Sequence, residues 1–218
     1  MQTKIVFLVR HAESESNAGL RTENPSGIAL TSRGRQQALF VRDALRLRPR
    51  LIVRSNYIRT FQTAQPLLES LSEPEASIWP VHEFSYLDVD RCANTNYEER
   101  TRWRDEYWDR LDPMLVDGKG AESFLDFMKR VDHALDELRR EPADPIAVFT
   151  HGIFIRGMML RAKYPNLPIC SETMALFHRV RSALPIPNAS VTEMLVIDGN
   201  ISIGRTSVDH IPPEMRTG

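Results

Sequence analysis

Residues 4–11 read Lys4-Ile5-Val6-Phe7-Leu8-Val9-Arg10-His11. The run Ile5 to Val9 is compact and rich in β-branched residues, without the polar alternation of a half-exposed strand. That is the pattern of a strand covered on both faces within a parallel sheet. Arg10 and His11 follow at once, so both are expected at its C-terminal end. The figure recurs downstream: Leu51 to Ser55 leads into the polar stretch Ser55 to Arg59, and Ile146 to Thr150 leads into His151-Gly152.

Helical patterns lie between these runs. From Thr31 to Leu47, Ala38, Val41 and Leu45 share one face and Thr31 is placed to cap the N-terminus. A second helix is expected from Tyr57 to Leu71 and a third short strand from Ile78 to Val81. The β-α-β-α-β order implies an α/β fold, a three-layer α/β/α sandwich around a mostly parallel central sheet. The helix from Ser123 to Arg140 has the clearest stripe, through Phe124, Phe127, Met128, Val131, Leu135 and Leu138, and Ser123 with Asp126 resembles a capping box. Phe154 to Leu160 continues as a helix after Gly152. Near the end, Ser190–Ile197 and Ile201–Thr206 read as two strands joined by a hairpin at Asp198-Gly199-Asn200.

The 218 residues suit one domain, 1–218. From Glu83 to Gly120 the periodicity breaks, with Pro113 and two glycines, so 84–120 is expected to be a cap-like insertion after the third strand. A formal net charge of −1, with acids and bases interspersed, gives no electrostatic argument for nucleic-acid or anionic-membrane partners. Cys92 and Cys170 have no metal-ligand spacing, so neither a zinc site nor a disulfide framework is expected. The apolar run before Arg10 is too short for a leader or a membrane span. These features point to a soluble cytoplasmic protein with no metal and no cofactor; the oligomeric state stays open.

Three strand ends thus present polar residues where open α/β sheets bind ligands. Two histidines, two arginines and helix N-termini suit a tetrahedral dianion, held by guanidinium forks and backbone amides. At this point the sequence resembles the histidine phosphatase superfamily, also called the phosphoglycerate mutase-like family. Leu8-Val9-Arg10-His11-Ala12-Glu13-Ser14, with Asn17 after it, is similar to the opening motif, Ala12 standing where Gly is common. Leu30-Thr31-Ser32-Arg33-Gly34 is similar to the LTxxG segment. Ser55 to Ala64 resembles SPLxRAxQTA, with Asn56 and Thr60 replacing Pro and Ala. Val148 to Gly152 resembles the second histidine motif, which Ile155-Arg156 continues.

The resemblance implies a phosphoric monoester hydrolase of the histidine acid type, acting on a small phosphorylated substrate through a covalent phosphohistidine. His11 would be the nucleophile. Arg10, Arg59 and His151 would surround the transferring group, Asn17 would touch it, and Glu83 would be the general acid. Asp88 and Asp90 are reserve candidates, since spacing alone does not choose among the three carboxylates. Glu13 has two readings, orienting Arg10 or serving as a buried structural partner. Within the insertion, Trp103, Tyr107 and Leu111 are expected to pack inward, with the arginines solvated and some contact to substrate. A phosphoglycerate mutase is the first alternative, disfavoured by Ser16 where the mutases usually have Trp and by Phe84-Ser85-Tyr86-Leu87 after Glu83. The second is a phospho-ligand binding module without catalysis.

Overall fold

Side-chain alternation along β1 (Thr3–Arg10) decides the layering. Val6 and Leu8 enter one hydrophobic core, Phe7 and Val9 the other, so the strand must be covered from both sides. The structure is a computed structural model and describes residues 3–45 and 47–218. Its remaining elements are α1 (Ser32–Ala44), β2 (Leu51–Arg54), α2 (Ile58–Glu69), β3 (Glu75–Ile78), α3 (Val89–Cys92), α4 (Thr101–Asp109), α5 (Phe124–Arg140), β4 (Ile146–Thr150), α6 (Gly152–Lys163), α7 (Ser171–Ala183), β5 (Val191–Ile197) and β6 (Asn200–Ser207).

The six strands form one sheet in the order β3-β2-β4-β1-β5-β6. Neighbours from β3 to β1 pair in parallel, and β5 runs against both β1 and β6. The expected α/β sandwich is therefore found. One face packs Val41, Ala64 and Leu67 from α1 and α2 against Phe7, Val9, Ile52 and Phe149. The opposite face carries α5, α6 and α7 through Phe127, Val131, Phe154 and Phe177, all fully buried. Each such side chain stabilises the fold by roughly 1.5–3 kcal/mol before entropy is subtracted. Lys4 is buried at the end of α5, where its ammonium donates to the carbonyl of Leu138 at 2.7 Å and to that of Glu141. A cation there meets the orphan carbonyls and negative end of the helix.

Three features differ from the sequence reading. The third strand lies at Glu75–Ile78, ahead of the expected Ile78–Val81. Pro80 offers no N–H to a ladder, and β3 is an edge strand with largely exposed side chains, so it has no apolar signature. The insertion carries two helices, α3 and α4. In α4, Tyr107 and Trp108 are buried and Trp103 only partly so, while Leu111, just past the helix, packs against the core as expected. Helix α7 went unforeseen because its buried face is just Thr173, Met174 and Phe177.

Strand register sets the site. Arg10 lies beside Thr150 in the β1–β4 ladder, and Arg54 beside Phe149 in β2–β4. The next residue of each strand, His11, His151 and Ser55, therefore emerges at nearly one level.

Candidate active site

His11 is held at both ends. Its backbone N–H donates to the Thr150 carbonyl at 2.9 Å, and its ring Nδ1 lies 2.8 Å from the Ala12 carbonyl oxygen. A carbonyl only accepts, so Nδ1 carries the hydrogen and Nε2 keeps the lone pair. Thr63 fixes the turn from α2 by accepting from the Ala12 N–H at 3.0 Å. Burial, reinforced by Arg59 and Arg10, holds the His11 imidazole well below its usual pKa.

His151 lies behind this ring, centroids 5.1 Å apart, fully buried and not lining the open cavity. Arg59 Nη2 donates to its Nδ1 at 3.2 Å, which leaves the Nε2 hydrogen to donate to the Ser55 hydroxyl at 2.9 Å. Ser55 Oγ is in turn 2.9 Å from Thr60 Oγ1 and accepts from the Tyr57 N–H at 3.2 Å. Burial first, then Arg59, lowers the pKa of His151 well below the ordinary value, so both rings are neutral at pH 7.

Arg59, on the first turn of α2, donates to the Pro25 carbonyl at 2.6 Å and lies 4.7 Å over the Tyr57 ring. Arg10 donates to the Ile186 carbonyl and keeps a buried Nε without a partner. Burial lowers both guanidiniums to about 10, against the opposing pull of Glu83, and they remain cationic at neutral pH. Gly152 opens α6 between two cations: a Cβ there would stand 3.1 Å from Arg156 Nη1 and 3.4 Å from Arg10 Nε.

The three candidate carboxylates separate. Glu83 accepts from the Ile153 N–H at 3.2 and 3.3 Å, at the N-terminus of α6, and lines the cavity with His11. Asp88 instead caps α3, accepting from the Arg91 N–H at 2.7 Å, and also accepts from the Lys119 N–H at 2.8 Å. Asp90 pairs with Lys119 at 2.8 Å. Neither aspartate lines the cavity. Asn17 does; its carbonyl oxygen accepts from the N–H and hydroxyl of Ser14. Glu13 takes the structural role: it accepts from the Thr31 hydroxyl at 2.6 Å and lies 3.5 Å from Arg33, with no bond to Arg10.

The cavity measures about 400 Å³ and is lined from His11 and Glu83 to Tyr86, Tyr97 and Arg104 of the insertion. A family model described as histidine phosphatase superfamily, branch 1, matches residues 6–206. The chain belongs to the histidine phosphatase superfamily. Among its relatives, a glucosyl-3-phosphoglycerate phosphatase of Mycolicibacterium vanbaalenii is 28% identical over 186 residues, 78% of this chain and 77% of that one. A probable phosphoglycerate mutase, GpmB, of Escherichia coli is 30% identical over 153 residues, 68% and 69% of the two chains. In fold, the chain is similar to a mutant phosphoserine phosphatase from Entamoeba histolytica solved with phosphoserine, with a TM-score of 0.71 at 20% identity, covering 95% of this chain and 99% of that one.

For a superfamily member, the residues that sequence reasoning missed are mostly supports. Ser55 and Tyr57 hold His151 and Arg59, and Thr63 holds Ala12. Ser55 and Thr63 stood within the matched SPLxRAxQTA run, which was the one available signal. Arg181 on α7 lines the cavity without any motif. Among the described residues no group of three or more His, Cys, Asp and Glu is placed to hold a metal, and no helix is long and apolar enough to cross a membrane.

Proposed function

We propose that this superfamily member is a phosphoric monoester hydrolase of small phosphorylated substrates, with His11 as its nucleophile. The observation that carries the reading is the Nδ1 contact to Ala12, which reserves the lone pair for Nε2 among Arg10, Arg59 and Glu83. Nε2 attacks phosphorus in line, a P–N bond forms, and the P–O bond to the leaving alcohol breaks. Glu83 passes a proton to the departing oxygen. Water then attacks the phosphohistidine and loses its proton to Glu83, the P–N bond breaks, and His11 is restored with release of inorganic phosphate. Arg10, Arg59 and the Asn17 amide N–H donate to the equatorial oxygens, where charge builds up. His151 joins them once Arg59 turns from its Nδ1 toward the phosphate.

The acid-type reading is supported by the depressed pKa of His11, which keeps the free nucleophile unprotonated in mildly acid solution. Residues 1–218 act as one domain in this account, with 84–120 as its cap. Tyr107 and Trp108 support this by sharing a core with Phe127 and Phe177. The free thiols Cys92 and Cys170 favour the cytoplasm. Rapid quenching with a labelled phosphate ester tests the mechanism: label should survive alkali, be lost in acid and be absent from His11→Ala. Label should leave as inorganic phosphate. Passage chiefly to added phosphoglycerate would make the enzyme a mutase, and wild-type turnover by His11→Ala would refute the nucleophile.

A further inference from the structure

Six arginines line the cavity, Arg10, Arg59, Arg100, Arg104, Arg156 and Arg181, facing a single carboxylate, Glu83. Among the described residues none of the six forms an ion pair, although arginines elsewhere on the surface pair repeatedly. A phosphate monoester brings at most two negative charges, which Arg10 and Arg59 already match. Glu83 attracts Arg10, Arg59 and Arg156 together, so one carboxylate among the lining residues faces all the positive charge of the cavity.

Two of the outer arginines have structural work. Arg100 donates to Thr95 Oγ1 at 2.7 Å and Thr22 Oγ1 at 2.9 Å, tying the insertion to the loop after β1. Arg104 lies 3.5 Å over the Tyr97 ring and donates to the Tyr97 carbonyl. Arg156 and Arg181 are different. Arg156 is anchored only through Nε, to the Leu184 carbonyl at 2.8 Å, and its Nη1 passes over Gly152 beside Arg10. Arg181 lies 4.9 Å over Trp108, donates through Nη2 to His178 Nδ1 at a long 3.4 Å, and has a buried Nε with no hydrogen-bond partner. Burying a guanidinium N–H without an acceptor is costly, and packing two like charges at one cavity adds to that cost. A ligand oxyanion between the two guanidiniums offsets that repulsion.

Position indicates which part of the substrate carries that anion. In the reading above, Glu83 marks the side from which the alcohol departs, and Glu83 sits at the first turn of α6, the helix that carries Arg156. We propose that Arg156 and Arg181 form a second anion subsite, so that the substrate is a phosphate ester whose leaving alcohol bears its own compact oxyanion, a carboxylate or a second phosphate. The inference rests on the hydrolase reading for its orientation. Guanidinium forks suit either oxyanion.

Matched pairs of esters test it. Values of kcat/KM are compared for 3-phosphoglycerate against glycerol 3-phosphate, and for fructose 1,6-bisphosphate against fructose 6-phosphate, with aryl phosphate as an activity control. The two-anion member should win by about ten-fold or more in at least one pair. Preference in the first pair assigns a carboxylate, in the second a phosphate. R156Q and R181Q should each shrink the preferred ratio several-fold. Calorimetry on His11→Ala with the same four compounds gives a readout free of turnover, and the two-anion member should bind more tightly. Hydrolysis of aryl phosphate with no preference in either pair, and no difference in binding, overturns the subsite and leaves the hydrolase reading standing. Absence of any phosphoenzyme, with the binding preference intact, overturns the hydrolase reading alone.

Discussion

Arg59 donates through Nη2 to Nδ1 of His151 across 3.2 Å, and both side chains are buried. The bond requires an imidazole without a hydrogen on Nδ1, so in the free protein Arg59 masks the atom through which His151 would hold phosphate. The Ser55 hydroxyl holds the other ring nitrogen at 2.9 Å, so the ring is pinned and Arg59 is the part that has to move.

Anion binding should therefore protonate His151. Burial and Arg59 hold its pKa down, and a dianion that draws Arg59 away replaces a repelling charge with an attracting one. Nitrogen NMR of labelled histidines at about pH 7, titrated with inorganic phosphate or vanadate, should show His151 passing from neutral ring to imidazolium. An unchanged neutral ring at saturation would restrict His151 to a supporting role.

Arg59 and Glu83 should fail differently. Arg59→Ala should lower phosphorylation by about 100-fold or more for every ester, because charge develops on the same transferring group each time. Glu83→Gln should cost an alkyl phosphate far more than an aryl phosphate, whose leaving oxygen needs little help. Single-turnover rates isolate the step. Equal losses for both esters would remove the acid role from Glu83, and since Asp88 and Asp90 are engaged with Arg91 and Lys119, the proton would have to come from solvent.

Acid should destabilise the fold before most carboxylates titrate. Burial lowers the folded-state pKa of His11, His151, His178 and His210, and lowers that of His82 to about 4. A histidine with a lowered folded value binds protons more readily in the unfolded chain, so stability is complete above its unfolded value. It is lost as pH falls below about 6.5. Tm should fall from about pH 7.5 to pH 5, and His82→Gln should flatten part of that slope. A Tm that holds steady over this range would contradict the buried, neutral state of these rings.

Gly34 should tolerate no side chain. A Cβ there would stand 2.0 Å from the Glu13 carbonyl oxygen, a backbone atom whose residue is locked by Gln37 and Thr31. Alanine gains about 1 kcal/mol of helix propensity over glycine, but overpacking against backbone costs about 1–3 kcal/mol or more. Gly34→Ala should thus lower Tm by several degrees and weaken turnover, because Glu13 lies two residues from His11. A stabilised variant would show that α1 can move away freely.

The sequence alone was sufficient wherever the determinant is local. The buried run Ile5–Val9, the Thr31 cap, the apolar stripe of α5 and the hairpin at Asp198-Gly199 are set by residues within a few positions of one another, and all stand in the structure. The motif residues Arg10, His11, Arg59 and His151 could be named in advance, although their contacts could not. Tertiary structure decided the rest through separations no window spans. It decided that β1–β4 register sets His11 against His151, that Glu83 and neither aspartate reaches the cavity, and that Glu13 serves Thr31. It also brought Arg181 of α7 to a pocket whose other walls come from the loop after β1, the start of α2, α6 and the insertion. Such choices depend on which chain segments meet across the sheet, and on which buried polar groups then find partners, so they become definite only when the chain has packed.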